Sequence, residues 1–458
     1  MDDALKRLGY SLWGLIASGP LYRYAERHTR RSITPRLRVL ERETALPFAQ
    51  RKAAALERLI RVLEEAGKDV PYYRDLFAAG RFIPEKLRRD ERYLEDLPYL
   101  TKDILREQGR RLVNEKLACG IVREQKTGSS TGPAVVIYYD QEALDWTAAQ
   151  NILMLAWGGK RRYDREVHLS TRFQSPPSPE DSRFEARKCL VLNRRNVYTG
   201  GFDGASQEIL LQDLQAAHAR IVQGHSSSLF ALARYLKAKN ISGKGIFEIF
   251  VSTGEMISSR QRALIEEVFG ARVSDRYGAC EFGVMAQELA VDPKHELLVS
   301  DSLVWPEMRP PELSSSDGYA DMAGIGELVF SNLRNRVMPL IRYCMGDLGK
   351  LVTGDDGWRI TEITGRTHDV AEIDGVEYPT HYIQDILDRC GYIEDFQILV
   401  RGGKAVEFRL VASREDWEGI ARAVRANFPS VPLRRIGADE LVFVGARGKF
   451  SYILREDV

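Results

Sequence analysis

Cysteine is sparse and scattered in this chain: Cys119, Cys189, Cys280, Cys344 and Cys390 are spread over 458 residues. That spacing argues against a zinc ribbon or a disulfide framework and fits a reducing cytoplasm. An excess of one charge sign is also lacking. Lys and Arg number 66 against 65 Asp and Glu, a formal net charge of +1. This removes the whole-chain case for nucleic acid or an anionic surface as partner. Long apolar runs are missing as well. The nearest to one, "LGYSLWGLIASGP", follows Lys6-Arg7 and mimics a signal peptide, but Gly9 and Gly14 interrupt it and it is too short to span a bilayer. A partly buried N-terminal helix with a solvated basic flank from Arg27 to Arg38 is expected; peripheral membrane contact is the alternative. Internal repeats and low-complexity tracts do not occur.

What is present is the material of a large α/β protein. Apolar residues make up 44% of the chain, and its length favours two or three domains. The first stretch, to about residue 115, reads as helical. "FAQRKAAALERLIRVLEEAG" places Leu56, Leu59, Ile60 and Leu63 at helical spacing, and "VPYYRDLF" starts at a proline turn. From Ile121 strands and helices alternate. "EVHLS" reads as a strand and "QDLQAAHARI" as a helix. "IFEIFVS", then "RQRALIEEVF" with a Ser258/Gln261 capping box and a Gly270 stop, then "RVSDRY" form a strand–helix–strand unit. In a parallel sheet the turns after both strands fall on one edge, where ligand loops gather. From Gly326 short β segments take over. Beyond Gly365–Asp369 the pattern is a hairpin at Asp374-Gly375, a helix before Gly391, a strand pair around "RGG", a helix from Ser413 to Phe428 and a last strand "ELVFV". The expected division is 1–366, binding nucleotide and acyl substrate, and 367–458, a small mobile α+β lid.

The loop "KTGSSTGPA", Lys126 to Ala134, offers free backbone N–H groups and hydroxyls that suit a phosphate. It is not a Walker loop, and an unliganded β-turn explains it equally well. With it, "STGE", "DRYGACEFG", "PLIRYCMGD", "ITGRTHD" and "RGKF" occur in the order seen in adenylate-forming enzymes. Over nearly the whole chain the sequence resembles phenylacetate–CoA ligases, and among them the branch associated with capsule biosynthesis.

The resemblance implies a set of roles. Thr127, Ser129, Ser130, Thr131 and Gly132 would hold the ATP phosphates. Gly254 and Glu255 would flank the adenine and Tyr277 would stack on it, with Asp275 and Gly278 nearby. Glu281 would carry Mg2+, Asp347 the ribose hydroxyls, and Arg366 ribose or phosphate. Lys449, on the lid, would reach the α-phosphate, and Asp369 would be the hinge. Trp157, His225, Ser226 and Ser227 would face the acyl group. The chemistry is consistent: an aspartate can accept from two hydroxyls, and a cation and a metal offset the repulsion between a carboxylate and a phosphate. The implied substrates are ATP and a small carboxylic acid, with CoA, an acyl-carrier-protein thiol or an amine as acceptor. A homodimer is compatible with this reading. An amide-forming or adenylylating enzyme, or a non-catalytic nucleotide binder, are the alternatives. The chain departs from the family pattern in three places. Gly132 meets Pro133 directly, shortening the phosphate loop. Ala279-Cys280 precede Glu281 where a hydroxyl residue is frequent. "AQELAVDPKHELLVSD" has Glu288 and His295 but no cysteine, so a structural zinc is not expected.

Overall fold

The computed structural model describes residues 3–126, 135–171, 179–199, 204–310, 324–366, 370–374, 376–444 and 449–456. The helical beginning comprises Asp3–Ile16, Tyr22–His28, Ile33–Thr44, Phe48–Asp69 and Pro71–Gly80, with a π-turn holding Pro20 between the first two. Leu59, Ile60 and Leu63 of Phe48–Asp69 are fully buried, as their spacing requires. Pro71 starts a helix, because its missing N–H is unneeded at a first helical position. Asp3–Ile16 packs through its Trp13 indole N–H, which donates to the Leu190 carbonyl, and leaves Leu8, Leu12, Leu15 and Ile16 exposed. Among the described residues no helix is long and apolar enough to cross a membrane.

An eleven-stranded sheet organises the chain up to Arg366. Its parallel half runs, in spatial order, Arg194–Thr199, Glu166–Thr171, Ile221–Gly224, Ile249–Ser252 and Arg272–Ala279. Arg272–Ala279 is the switch. Its other edge pairs antiparallel with Gly283–Glu288, and the sheet continues antiparallel through Leu297–Val299, Gly357–Arg366, Tyr343–Gly354, Gly326–Asn332 and Val304–Arg309. The helix Ser259–Phe269 has the expected Ser258/Gln261 capping box and ends on Gly270 at φ +60°. The early helices bury one core against the antiparallel half, and Val167, Val222, Phe250 and Phe269 sit in another beneath the parallel half.

A second sheet holds Val370–Ile373, Val376–Pro379, Ile393–Arg401, Lys404–Ala412, Leu433–Ile436 and Ile453–Arg455, with helices Thr380–Arg389 and Trp417–Asn427 and a core of its own. The α/β expectation, with a second small α+β unit, therefore holds. Three element limits differ from the sequence reading. The helix in "QDLQAAHARI" ends at Ala217, where His218 turns left-handed at φ +49°, and Ile221 already begins a strand. The helix expected from Ser413 starts at Trp417, because the Ser413 hydroxyl accepts the Asp416 N–H in a local turn. "ELVFV" is broken by a 3-10 turn at Ala438–Glu440, and only Phe443–Val444 extends, pairing with Lys449–Phe450.

Candidate active site

The parallel strands deliver three loops to one edge. After Ile221–Gly224 comes His225, then the N-terminus of helix Ser226–Ala238. After Ile249–Ser252 comes a turn in which Gly254 sits at φ +82°, followed by Glu255. The Glu255 carboxylate meets the helix start: the Ser227 N–H donates to Oε2 at 3.1 Å and the Ser226 hydroxyl at 3.4 Å. A carboxylate at a helix N-terminus offsets the unpaired N–H groups there. His225 Nδ1 lies 3.6 Å from Oε1. The short strand pair Phe443–Val444 and Lys449–Phe450 reaches the same carboxylate, since the backbone N–H of Phe450 donates to Oε1 at 3.2 Å. Glu255, expected beside an adenine, is thus a junction of helix, loop and C-terminal unit.

The third loop follows Arg272–Ala279. Tyr277 is buried, and its hydroxyl donates to Asp347 Oδ2 at 2.7 Å. Asp347 in turn lies in register opposite Arg366 on the neighbouring strand. The residues expected at adenine and ribose therefore meet at the antiparallel side of the switch strand. At Gly278 any Cβ would come within 2.7 Å of the Gly283 carbonyl oxygen, so the strand crossing admits only glycine. Asp275 is desolvated, which raises its carboxyl pKa to about 7 against the pull of Arg262. Glu281 is buried, and the Tyr343 hydroxyl donates to its Oε1 at 3.2 Å. Burial, and then that carboxylate, push the Tyr343 phenol well above its usual range. Among the described residues no cluster of three or more acidic, His or Cys side chains forms a preset metal cage.

Some expected site residues are not brought together. Trp157 ends helix Gln141–Trp157 at the opposite edge of the sheet. The carbonyls of the glycines that follow it, Gly158 and Gly159, accept from Arg272 and Arg220, which stand at the entry ends of their strands. An acyl-pocket wall at Trp157 and Gly158 is corrected on that ground. Thr127, Ser129, Ser130, Thr131, Gly132 and Asp369 lie outside the described residues. Lys449 belongs to the short strand that carries Phe450. Glu288 and His295, noted for their lack of a cysteine partner, pair with each other at 2.6 Å. Glu288 also accepts from Arg262 and from the Asp275 N–H, bracing the switch strand. Sequence reading missed Tyr343 and Tyr139, whose hydroxyls meet Glu281 and the Cys280 carbonyl. In the sequence both look like ordinary core aromatics.

Known proteins match this arrangement. The phenylacetate–coenzyme A ligase of Pseudomonas putida is 27% identical over 366 residues, covering 76% of this chain and 78% of its own. The enzyme of that name from Escherichia coli strain K12 is 25% identical over 346 residues, covering 73% and 76%. Among solved structures, a 2-hydroxyisobutyryl-CoA ligase in the postadenylation state has a TM-score of 0.70 at 18% identity, covering 91% and 92%. The same ligase in its thioesterification state scores 0.57 at 20% identity, covering 91% and 92%. No family model matches the chain. The chain thus shares the fold of the 2-hydroxyisobutyryl-CoA ligase. In sequence it is similar to the phenylacetate–coenzyme A ligases.

Proposed function

We propose that this chain activates a carboxylic acid with ATP and passes the acyl group to a thiol, with CoA as the first acceptor to test. The observation that supports the reading is that Glu255 and Glu281 follow neighbouring parallel strands at their carboxyl ends, with Tyr277 bonded to Asp347, Tyr343 to Glu281 and the Phe450 N–H to Glu255. In the first half-reaction a carboxylate oxygen attacks the α-phosphorus, and the bond to the β-phosphoryl oxygen breaks, releasing pyrophosphate. In the second, a thiol sulfur attacks the acyl carbon and AMP leaves. Asp347 accepts from the ribose hydroxyls, which then share its carboxylate with the Tyr277 hydroxyl. Glu281 would hold Mg2+, whose charge offsets that of the phosphates. Lys449 provides the mobile cation for the first step, and rotation at Asp369 withdraws it for the second. Residues 367–458 act as the lid. Thr127 to Gly132 hold the phosphates through their N–H groups and hydroxyls. Placement in the capsule-associated branch rests on the motif likeness, as does cytoplasmic location on the scattered cysteines.

The test is acid-dependent release of pyrophosphate from ATP over a panel of aromatic, fatty and hydroxy acids, with and without CoA. Release with one acid, followed by CoA-dependent formation of AMP and thioester, is the expected result. Pyrophosphate release that stalls at acyl-AMP with CoA but proceeds with an amine would replace the thioester step with amide formation. No release with any acid would leave a nucleotide-binding protein without ligase activity.

A further inference from the structure

Parallel strands covered on both faces are ordinarily apolar on both. One face here obeys that rule, with Val167, Val222, Phe250 and Val273 in a single core. The face under helix Gln141–Trp157 breaks it toward the crevice. His168 and Gln223 are register partners there, and the Arg276 guanidinium lies against Gln223 Oε1 at 3.4 Å and donates to Asn151 Oδ1 at 2.7 Å. Arg276 is only 6% exposed; among the described residues no carboxylate lies within ion-pairing distance of it, and the charges of Glu166 and Asp275 act on it from farther away. Its Nε has no hydrogen-bond partner. Gln150, next to Asn151 on the same helix and 1% exposed, leaves both amide atoms unpaired, and Gln287 leaves its Oε1 unpaired.

Buried polar groups are almost always hydrogen-bonded, and here the distant charges of Glu166 and Asp275 leave the guanidinium Nε without an acceptor. Burial does pull the Arg276 pKa down, to about 10, which still leaves it charged at neutral pH. Something must therefore complete this layer. The layer lies at the carboxyl edge of the parallel strands, because Arg276 is one residue beyond the last parallel pair, Ser252 with Asp275, and Gln223 stands two residues before His225 on its own strand's face. The unmet capacity is chiefly that of a cationic donor, so its complement is an oxygen acceptor, best one with negative charge.

We propose that Arg276, positioned by Gln223 and Asn151, selects an acid bearing a second oxygen acceptor remote from the carboxylate that is activated. This inference rests on the ligase reading above and names its substrate class. A purely hydrocarbon acid would leave the guanidinium unpaired, and sites built to hydrogen-bond a substrate reject analogues that lack the group.

The experiment compares matched sets of acids: a linear dicarboxylate, the ω-hydroxy acid and the plain monocarboxylate of the same chain length, over several lengths. The readout is kcat/KM for pyrophosphate release. The parent enzyme should favour the acceptor-bearing acid by about tenfold to hundredfold, the range for a hydrogen bond to a charged group. Arg276→Met should erase or invert that ratio with KM for ATP unchanged. Preference for the dicarboxylate over the ω-hydroxy acid assigns the partner as an anion; equal preference assigns it as a neutral acceptor. Should Arg276→Met fail to fold, Asn151→Leu, which removes the residue orienting the guanidinium, should lower the same ratio several-fold with KM for ATP again unchanged. A parent that activates the plain acid best, or variants that slow all acids equally, would overturn the proposal and leave the ligase reading intact. No activation of any acid would overturn both.

Discussion

At the scale of single residues, Asp347 and Glu281 are the sharpest tests. Asp347 already holds the Tyr277 hydroxyl at 2.7 Å, so its carboxylate is oriented before nucleotide arrives. Asp347→Ala should weaken ATP binding by about 1–3 kcal/mol, the cost of leaving buried hydrogen-bonding partners unmet. Calorimetric titration checks it; an unchanged affinity removes Asp347 from the ribose. Glu281→Gln keeps the shape and loses the charge. Its activity should fall steeply while its melting temperature stays near that of the parent, and its activation by Mg2+ should shift to higher concentration. Coinciding Mg2+ titrations of variant and parent would exclude Glu281 as ligand. Both residues stood out as candidates in the sequence because the glycines and tyrosines around them form ordered motifs. Arg276 was not, although it stands inside one of those motifs. Only the fold shows that it is buried with its Nε unpartnered.

At the scale of elements, the C-terminal unit, proposed above as a lid, meets the large sheet's helices through charge. Arg234 of helix Ser226–Ala238 pairs with Glu394, and Arg260 lies 4.3 Å from the Tyr392 ring centroid. Between them Asp395 is desolvated, and its pKa rises to about 7 despite Arg234 and Arg260. A carboxyl whose pKa is raised in the docked state takes up a proton on docking. The stability it lends the docked lid is complete at acid pH and is lost as pH rises through about 7. Asp395→Asn should remove that dependence. Protection factors for hydrogen exchange in Ile393–Arg401, corrected for the intrinsic pH dependence of exchange, should fall between pH 6 and 8 in the parent and stay level in the variant; parallel profiles would sink the idea. Strand–helix alternation made these elements legible, since hydrophobic period is local information. Their ends were less so. His218 at φ +49° and the Ser413 turn stop or delay helices by backbone geometry that residue type alone does not announce. Trp157 failed for a similar reason: an aromatic at a helix end reads the same at either edge of a sheet, and only topology decides which edge it occupies.

At the scale of the whole molecule, the proposed alternation of the lid gives two variants with opposite signatures. Lys449→Ala should cost about 2.7–4 kcal/mol in acyl-AMP formation, the range for a lost oxyanion donor, and leave transfer from preformed acyl-AMP nearly untouched. Asp369→Pro should restrict φ at the hinge and slow transfer more than adenylation. Single-turnover kinetics of each half-reaction distinguish them, and equal losses in both steps for Lys449→Ala would make that lysine structural. The two-part architecture was readable because the β texture changes near Gly326 and again after Gly365. How the parts dock was not, since that depends on side chains more than a hundred residues apart, such as Arg234 and Glu394.

The Phe450 N–H that reaches Glu255 belongs to the main chain. Every residue type except proline supplies that donor, so the contact imposes almost no restriction on which side chain stands at position 450. The lid tip can thus drift in sequence through evolution while keeping its grip on the crevice, and the constraint falls instead on the acceptor. Glu255 is the partner whose loss no neighbouring substitution replaces. Comparing orthologues by side chain alone would overlook this joint at position 450 and find it at position 255.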